Sequence, residues 1–247
     1  PDGVGMDIEQ WTEAVDERTL FLATSHVFFR TGFVQDLHGL AGIAREAGAC
    51  TLIDGYHGAG QIGVDLAAAE VDFYTSGPLK WLCGGPGLAY LYVRPDLVER
   101  LHPRSTGWFG AKNAFEFDIR RHEPHDDARR REMGTPALPT VHTALGGQEI
   151  LDQVGIEAIE ERNRLLVTRL LDGCEERGFS LTLAKVEEQR SAIVMIRHAD
   201  PGGAVDHLAE RGIIVDSRPG HIRVSPHFYN TEDEIDHFLG ALSAFPG

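Results

Sequence analysis

Short apolar runs alternate with stretches of helical spacing through the first half of the chain. Leu20 to Thr24 is such a run; Leu40, Ile43 and Ala44 follow at helical spacing, and Gly48 stands where a helix end favours left-handed backbone. Cys50 to Ile53, Val71 to Thr75 and Leu88 to Val93 are further apolar runs bounded by Gly, Pro or Asp, the pattern of buried strands. Strands alternating with helices predict an α/β class with a mostly parallel sheet covered by helices. From Leu138 to about Arg177 the spacing is helical, broken near Gly155, with Leu165, Leu166, Leu170 and Leu171 as an apolar stripe. Beyond it the pattern predicts strands over Ala192 to Ile196, Ile213 to Val215 and Ile222 to Val224, with a helix near Ala204 to Ala209. A last helix starts at Thr231, where Thr231 and Glu234 match the Thr-x-x-Glu capping box. The expected organisation is a large α/β unit over 1–137, then a connecting helix and a small C-terminal α+β unit over 138–247. The charged run Arg120 to Glu132 reads as a solvated loop.

Composition narrows the function. With 247 residues, 42% hydrophobic and 25% charged, the chain can bury a sizeable core. No apolar run reaches the roughly 18 residues that a membrane helix needs, so no membrane partner is expected. A formal charge of -15 repels a phosphate backbone, which argues against nucleic acid. Cys50, Cys83 and Cys174 are widely spaced, form neither a disulfide framework nor a cysteine zinc site, and fit a reducing cytoplasm. His122, Glu123, His125 and Asp126 read as charged surface, and no metal site is expected. The chain opens on Pro1 rather than Met, and Lys80, Lys112 and Lys185 are its only lysines.

The candidate chemistry concentrates where strands end. Asp54 directly follows Thr51-Leu52-Ile53, at the carboxyl end of a predicted strand, where open α/β sheets bind ligands. A turn-forming Asp before Gly55 is the plainer alternative. His57 lies three residues on. In Ser76-Gly-Pro-Leu-Lys80-Trp-Leu-Cys-Gly-Gly-Pro-Gly87 a lysine sits among apolar and aromatic residues before a glycine-rich turn. Desolvation there lowers an ammonium's pKa and prepares the amine to attack a carbonyl, although a lysine snorkelling from a loop gives the same string.

Strand-Asp54-x-x-His57 followed by strand-Ser76-Gly-x-x-Lys80 resembles the fold-type I pyridoxal phosphate enzymes of the class V aminotransferase family. The resemblance implies that Lys80 forms the Schiff base with the cofactor and that Asp54 pairs with the pyridinium nitrogen, with His57 and Ser76 also at the cofactor. Ser25-His26-Val-Phe-Phe-Arg30-Thr-Gly32 is similar to a family strand end near the substrate, and assigns Arg30 to substrate binding. Glu132-Met-Gly134-Thr135-Pro136 resembles the segment whose Gly-Thr reaches the cofactor phosphate of a neighbouring subunit, which implies a homodimer with shared sites. Arg223-Val-Ser-Pro-His-Phe-Tyr-Asn-Thr231 resembles the segment whose arginine forms a bidentate pair with the substrate carboxylate.

Within the family, Asp216-Ser-Arg-Pro-Gly-His-Ile-Arg223 lacks the reactive cysteine that desulfurases and selenocysteine lyases carry before that arginine. Asp54-Gly-Tyr-His57 and Gly107-Trp108-Phe-Gly110 resemble kynureninase motifs, which places Trp108 at a partner's cofactor or substrate; Leu79 departs by replacing the tyrosine that precedes the lysine there. Isopenicillin epimerase-like proteins share the Ser-Gly-x-x-Lys and Ser-Pro-His-Phe-Tyr-Asn-Thr strings. The resemblance favours a kynureninase-like or epimerase-like amino-acid enzyme over a desulfurase and leaves hydrolysis, epimerisation, transamination and lyase chemistry open. Tyr56, Arg30, His57 and Trp108 point to a polar or aromatic substrate. Family chains are longer at the N-terminus, where a Gly-rich phosphate turn belongs, and none precedes Arg18. The alternative expectation is therefore a cofactor-incompetent fragment or a non-catalytic scaffold.

Overall fold

The computed structural model describes residues 3–246; Pro1, on which the expected N-terminal loss was read, lies outside them. The first sheet has the order β1 (Phe21–Ser25), β2 (Cys50–Asp54), β3 (Phe73–Ser76) and β4 (Tyr90–Val93). The first three strands are parallel and β4 returns antiparallel, giving a mixed, mostly parallel α/β sheet. Helix α1 (Ile8–Ala14) precedes it, and α2 (Leu37–Glu46) crosses from β1 to β2. Asp36 caps α2 by accepting from the Gly39 amide at 3.0 Å, and Leu37, Leu40, Ala41 and Ala44 form its buried face. Gly48 ends the segment at φ +74°, as the helix-end expectation requires.

The expectation of buried strands holds for β3 and only in part for the other strands of this sheet. Leu22, Ile53 and Tyr74 point into the core, whereas Phe21, Leu52 and Leu91 lie exposed. Side chains of β1 and β2 alternate between a covered and an open face, whereas β3 is buried on both, with Phe73 in the cluster of Val93 and Leu97 and Tyr74 in that of Leu22 and Ile53.

Helix α3 (Pro95–Arg100) follows β4, and the connecting segment is α4 (Leu138–Val154) and α5 (Ile156–Glu176), broken at Gly155 with φ +87°. The second sheet is β5 (Leu181–Thr182), β6 (Val194–Arg197), β8 (His221–Val224) and β7 (Asp216–Arg218), in that spatial order and antiparallel throughout. Helices α6 (Pro201–Ala209) and α7 (Glu232–Ser243) join α5 against it around Leu166, Leu170, Val194, Ile196, Ile222 and Leu239. The strand expected at Ile213 to Val215 lies instead at Asp216–Arg218. Pairing starts where Asp216 meets Arg223, while Ile214 is 84% exposed and gains nothing from burial there.

Two further differences concern the middle of the chain. The charged run is not wholly solvated, because Arg130 is buried and donates to the Val98 carbonyl at 2.8 Å. Its carboxylates Glu123 and Asp126 pair with Lys112 at 3.7 and 2.8 Å. Backbone bonds pin the sheets together: the Ser191 amide donates to the Gly32 carbonyl at 3.0 Å, and the Val34 amide to Gln189 at 2.9 Å. Buried Gln61 accepts from the Ala192 amide at 2.9 Å. No helix among the described residues is long and apolar enough to cross a membrane.

Candidate active site

Ser25, Asp54 and Ser76 end β1, β2 and β3, and the parallel register sets Ser25 beside Asp54 at one edge of the sheet. A cleft of about 520 Å³ opens from that edge toward β7 and β8, with Asp54, His57, Lys80, Arg218 and Arg223 along its wall. Residues from both halves of the chain thus meet at the carboxyl ends of parallel strands, where the open α/β architecture leaves room for a ligand.

The loop after β3 delivers the lysine. Gly77 and Pro78 are buried, and a Cβ on Gly77 would lie 2.1 Å from the Tyr56 hydroxyl and 2.8 Å from the backbone oxygen of Leu88, so a side chain there would have to displace Tyr56 and crowd the backbone. The Gly84 amide closes the loop on the Pro78 carbonyl at 2.7 Å, and Cys83 adopts left-handed backbone at φ +54°. Lys80 opens onto the cleft with its Nζ 2.6 Å from His57 Nε2 and 5.3 Å from the Tyr56 ring centre. Partial burial lowers its pKa; Asp54 acts in the opposite sense, and Arg223 and Arg218 lower it further. His57 is lowered to about 4, first by burial and then by Lys80, Arg223 and Arg218. It packs against the Phe29 ring at 6.4 Å. Both partners of this contact are therefore held toward their neutral forms.

Asp54 faces the cleft, and its Oδ1 accepts from the Tyr56 amide at 2.9 Å, which fixes the carboxylate without covering it. The cationic wall comes from the β7–β8 hairpin. Register pairs Asp216 with Arg223, and Asp216 Oδ2 accepts from Arg223 Nη2 at 2.9 Å and forms an ion pair with Arg218 Nη1 at 2.7 Å. Arg223 also donates to the Phe29 carbonyl at 3.2 Å, and its buried Nε has no partner within the chain. Two guanidiniums share one carboxylate, which leaves a site for a further anion.

Of the residues picked out by sequence, Lys80, Asp54, His57 and Arg223 converge on this cleft. Ser76 sits buried behind it, its hydroxyl 3.5 Å from the Gly55 carbonyl. Arg30 is exposed on the turn after β1 and does not line the cleft, although its neighbour Phe29 does. Trp108 and Thr135 are exposed and do not line the cleft, Trp108 standing in an aromatic group with Phe109, Phe115 and Phe117. Sequence reasoning missed Arg218, Trp81 and His227. The Asp-x-Arg-Pro-Gly-x-x-Arg string carried a signal for Arg218, since a Pro-Gly turn folds both arginines back onto the aspartate.

Comparison with known proteins matches this geometry to a family. The uncharacterized aminotransferase YcbU of Bacillus subtilis is 31% identical over 98% of this chain and 64% of its own length. Kynureninase of Pseudomonas fluorescens is 28% identical over 87% of this chain and 52% of its own length. The chain therefore spans about half to two thirds of these relatives. A solved structure of C-DES, with glycine covalently linked to its PLP cofactor, superposes at a TM-score of 0.88 and 22% identity, covering 98% of this chain and 65% of that one. A cysteine desulfurase and an isopenicillin N epimerase are among the other matches. The model of the class-V aminotransferases matches residues 2–238, and the chain belongs to that family.

Proposed function

We propose that this chain carries the amino-acid site of a pyridoxal 5'-phosphate enzyme, with Lys80 as the amine that bonds the cofactor aldehyde. Class-V membership supports this cofactor. The observation that carries the reading is the convergence of Lys80, Asp54 and Arg223 on one cleft from β3, β2 and β8. The residues fit the group: Asp54 offers an uncovered carboxylate to a ring nitrogen, Lys80 an amine with lowered pKa, and Arg223 an unpartnered Nε beside the cleft. When bound, the cofactor supplies an electron sink for charge developing at a substrate α-carbon.

The chain's own groups do the remainder. Arg223 orients the substrate carboxylate, and Arg218 with Asp216 holds that guanidinium in place. Lys80 Nζ, once free, takes the α-proton as general base. Trp108 and Thr135 lie outside this cleft, and in this reading they serve the site of a second subunit in a homodimer. Arg30 is not counted in the substrate set of this reading, since it is exposed and does not line the cleft, although its neighbour Phe29 does.

For the reaction branch we favour a kynureninase-like or epimerase-like transformation over desulfuration. The tight β7–β8 hairpin bears no cysteine, and the kynureninase and epimerase matches support the same choice. The scaffold alternative is not favoured, since it gives no reason for the cationic wall and the lysine to meet.

The test loads the chain with pyridoxal phosphate. Wild type develops a visible absorbance band, and borohydride reduction fixes one pyridoxyl mass at Lys80; Lys80→Ala loses both. Label placed on Lys112 or Lys185, or an unchanged spectrum in Lys80→Ala, defeats the proposal.

A further inference from the structure

Trp81 follows the lysine, yet its ring turns back beneath the site. It is buried, and its indole Nε1 lies 3.4 Å from His57 Nδ1. An indole N–H only donates, so Nδ1 must accept, and a neutral imidazole then carries its proton on Nε2. That nitrogen stands 2.6 Å from Lys80 Nζ. Nε2–H has no lone pair to offer an ammonium; the contact closes only when Nζ accepts with its own lone pair. We propose that Trp81 is a positioning residue: it fixes His57 as the Nε2–H tautomer, and His57 in turn holds Lys80 as a neutral amine.

Trp81 is itself held from behind. His227 Nε2 donates to the Trp81 carbonyl at 2.9 Å, and the two rings pack edge to face at 4.9 Å. His227 Nδ1 is then an acceptor, and the Asn163 side chain lies 3.4 Å away with its buried Nδ2 otherwise unpartnered. With Nδ2 turned toward His227, the amide satisfies both groups. A line of donors thus runs from Asn163 on α5 through His227 to the Trp81 backbone, while the Trp81 ring continues it through His57 to Lys80. Other charged and titratable groups facing the pair are Asp54 from β2, Arg218 from β7, Arg223 from β8, and Tyr56 and Tyr229. Asp54 favours the ammonium and the two arginines oppose it, in keeping with the downward shifts of Lys80 and His57.

This inference rests on Lys80 being the reactive amine. Replacing Trp81 by Phe keeps a ring and removes the donor. His57 is then free to carry its proton on Nδ1 and to accept from a Lys80 ammonium, so the lysine pKa must rise.

Two measurements on the chain without added cofactor test it. In nitrogen-15 NMR of wild type, His57 is expected as the Nε2–H tautomer; the Nδ1–H form overturns the proposal without any variant. In acetic anhydride labelling read by mass spectrometry across pH, Lys80 is expected to titrate below Lys112, whose pKa is raised by Asp126 and Glu123. Trp81→Phe with wild-type circular dichroism should move the Lys80 midpoint upward, each pKa unit cutting labelling at pH 8 about tenfold. An unchanged midpoint in that variant overturns the assignment. Borohydride reduction of wild type with pyridoxal phosphate separates the two readings: no adduct at Lys80 defeats the proposed cofactor role and leaves the tautomer result standing.

Discussion

Asp72 is nearly fully buried, and its Oδ2 accepts from the Thr51 amide at 2.7 Å and from the Thr51 hydroxyl at 3.2 Å. Arg94 reaches its other oxygen at 3.0 Å. Replacing Asp72 by Ala leaves a buried N–H without its acceptor at the root of β2 and β3, and should cost about 1–3 kcal/mol in urea unfolding. A loss under about 0.5 kcal/mol would mean that water or a neighbour satisfies the amide. Asp54 and Arg223 have a different character, since they face the cleft rather than the core. Arg223→Ala should raise KM for amino acids far more than for the corresponding amides while the fold survives. Equal effects on both would remove its carboxylate role.

Helices and loops set the position of these side chains. Helix α4 passes so close to the lysine loop that a Cβ on Gly147 would sit 2.6 Å from the Cys83 carbonyl carbon and the Leu82 oxygen. Backbone cannot yield there as a flexible side chain does. Gly147→Ala should therefore disturb the turn after Lys80 and weaken cofactor retention, a change that spectral titration with pyridoxal phosphate would detect. On α7 the Thr231 hydroxyl accepts from the Glu234 amide at 3.2 Å, and Glu234 accepts from the Thr231 amide at 2.8 Å. Thr231→Ala removes half of this box and should cost about 1 kcal/mol. The Arg162–Glu232 and Arg169–Asp236 pairs that tie α5 to α7 are partly solvated, so each adds little to stability.

Across the whole molecule, acid should act through buried histidine before it acts through surface carboxylates. His26 is 5% exposed, packs beside the Tyr74 hydroxyl at 3.1 Å, and has its pKa lowered by burial from 6.5 to about 4. The unfolded chain therefore binds a proton near pH 6.5 that the folded chain refuses until about pH 4. Stability from His26 is fully present above pH 6.5 and is lost as pH falls toward 4, a total on the order of 3 kcal/mol. Unfolding of wild type and His26→Asn at pH 7 and pH 4.5 should show a smaller pH difference in the variant; parallel curves would exclude His26 as the source. The charge of -15 also means that this protein should not be retained by nucleic acid at low salt.

Apolar spacing alone determined most strands, the break at Gly155 and the capped last helix, because these depend on neighbours within a few residues. The motif around Asp54, His57 and Lys80 was legible for the same reason: a strand end, a short turn and a glycine-rich loop are local features. The boundary of β7 was not, since it follows the cross-strand pairing of Asp216 with Arg223 rather than the apolar run at Ile213 to Val215. Nor did composition reveal that Arg130 is buried, because its acceptor, the Val98 carbonyl, is distant in sequence. The contact of Trp81 with His227, and the placing of Arg218 and Arg223 on the same cleft as Lys80 and Asp54, were decided only when the second sheet closed on the first. Direction, tautomer and charge state depend on groups brought together in space, and a one-dimensional pattern carries no distances.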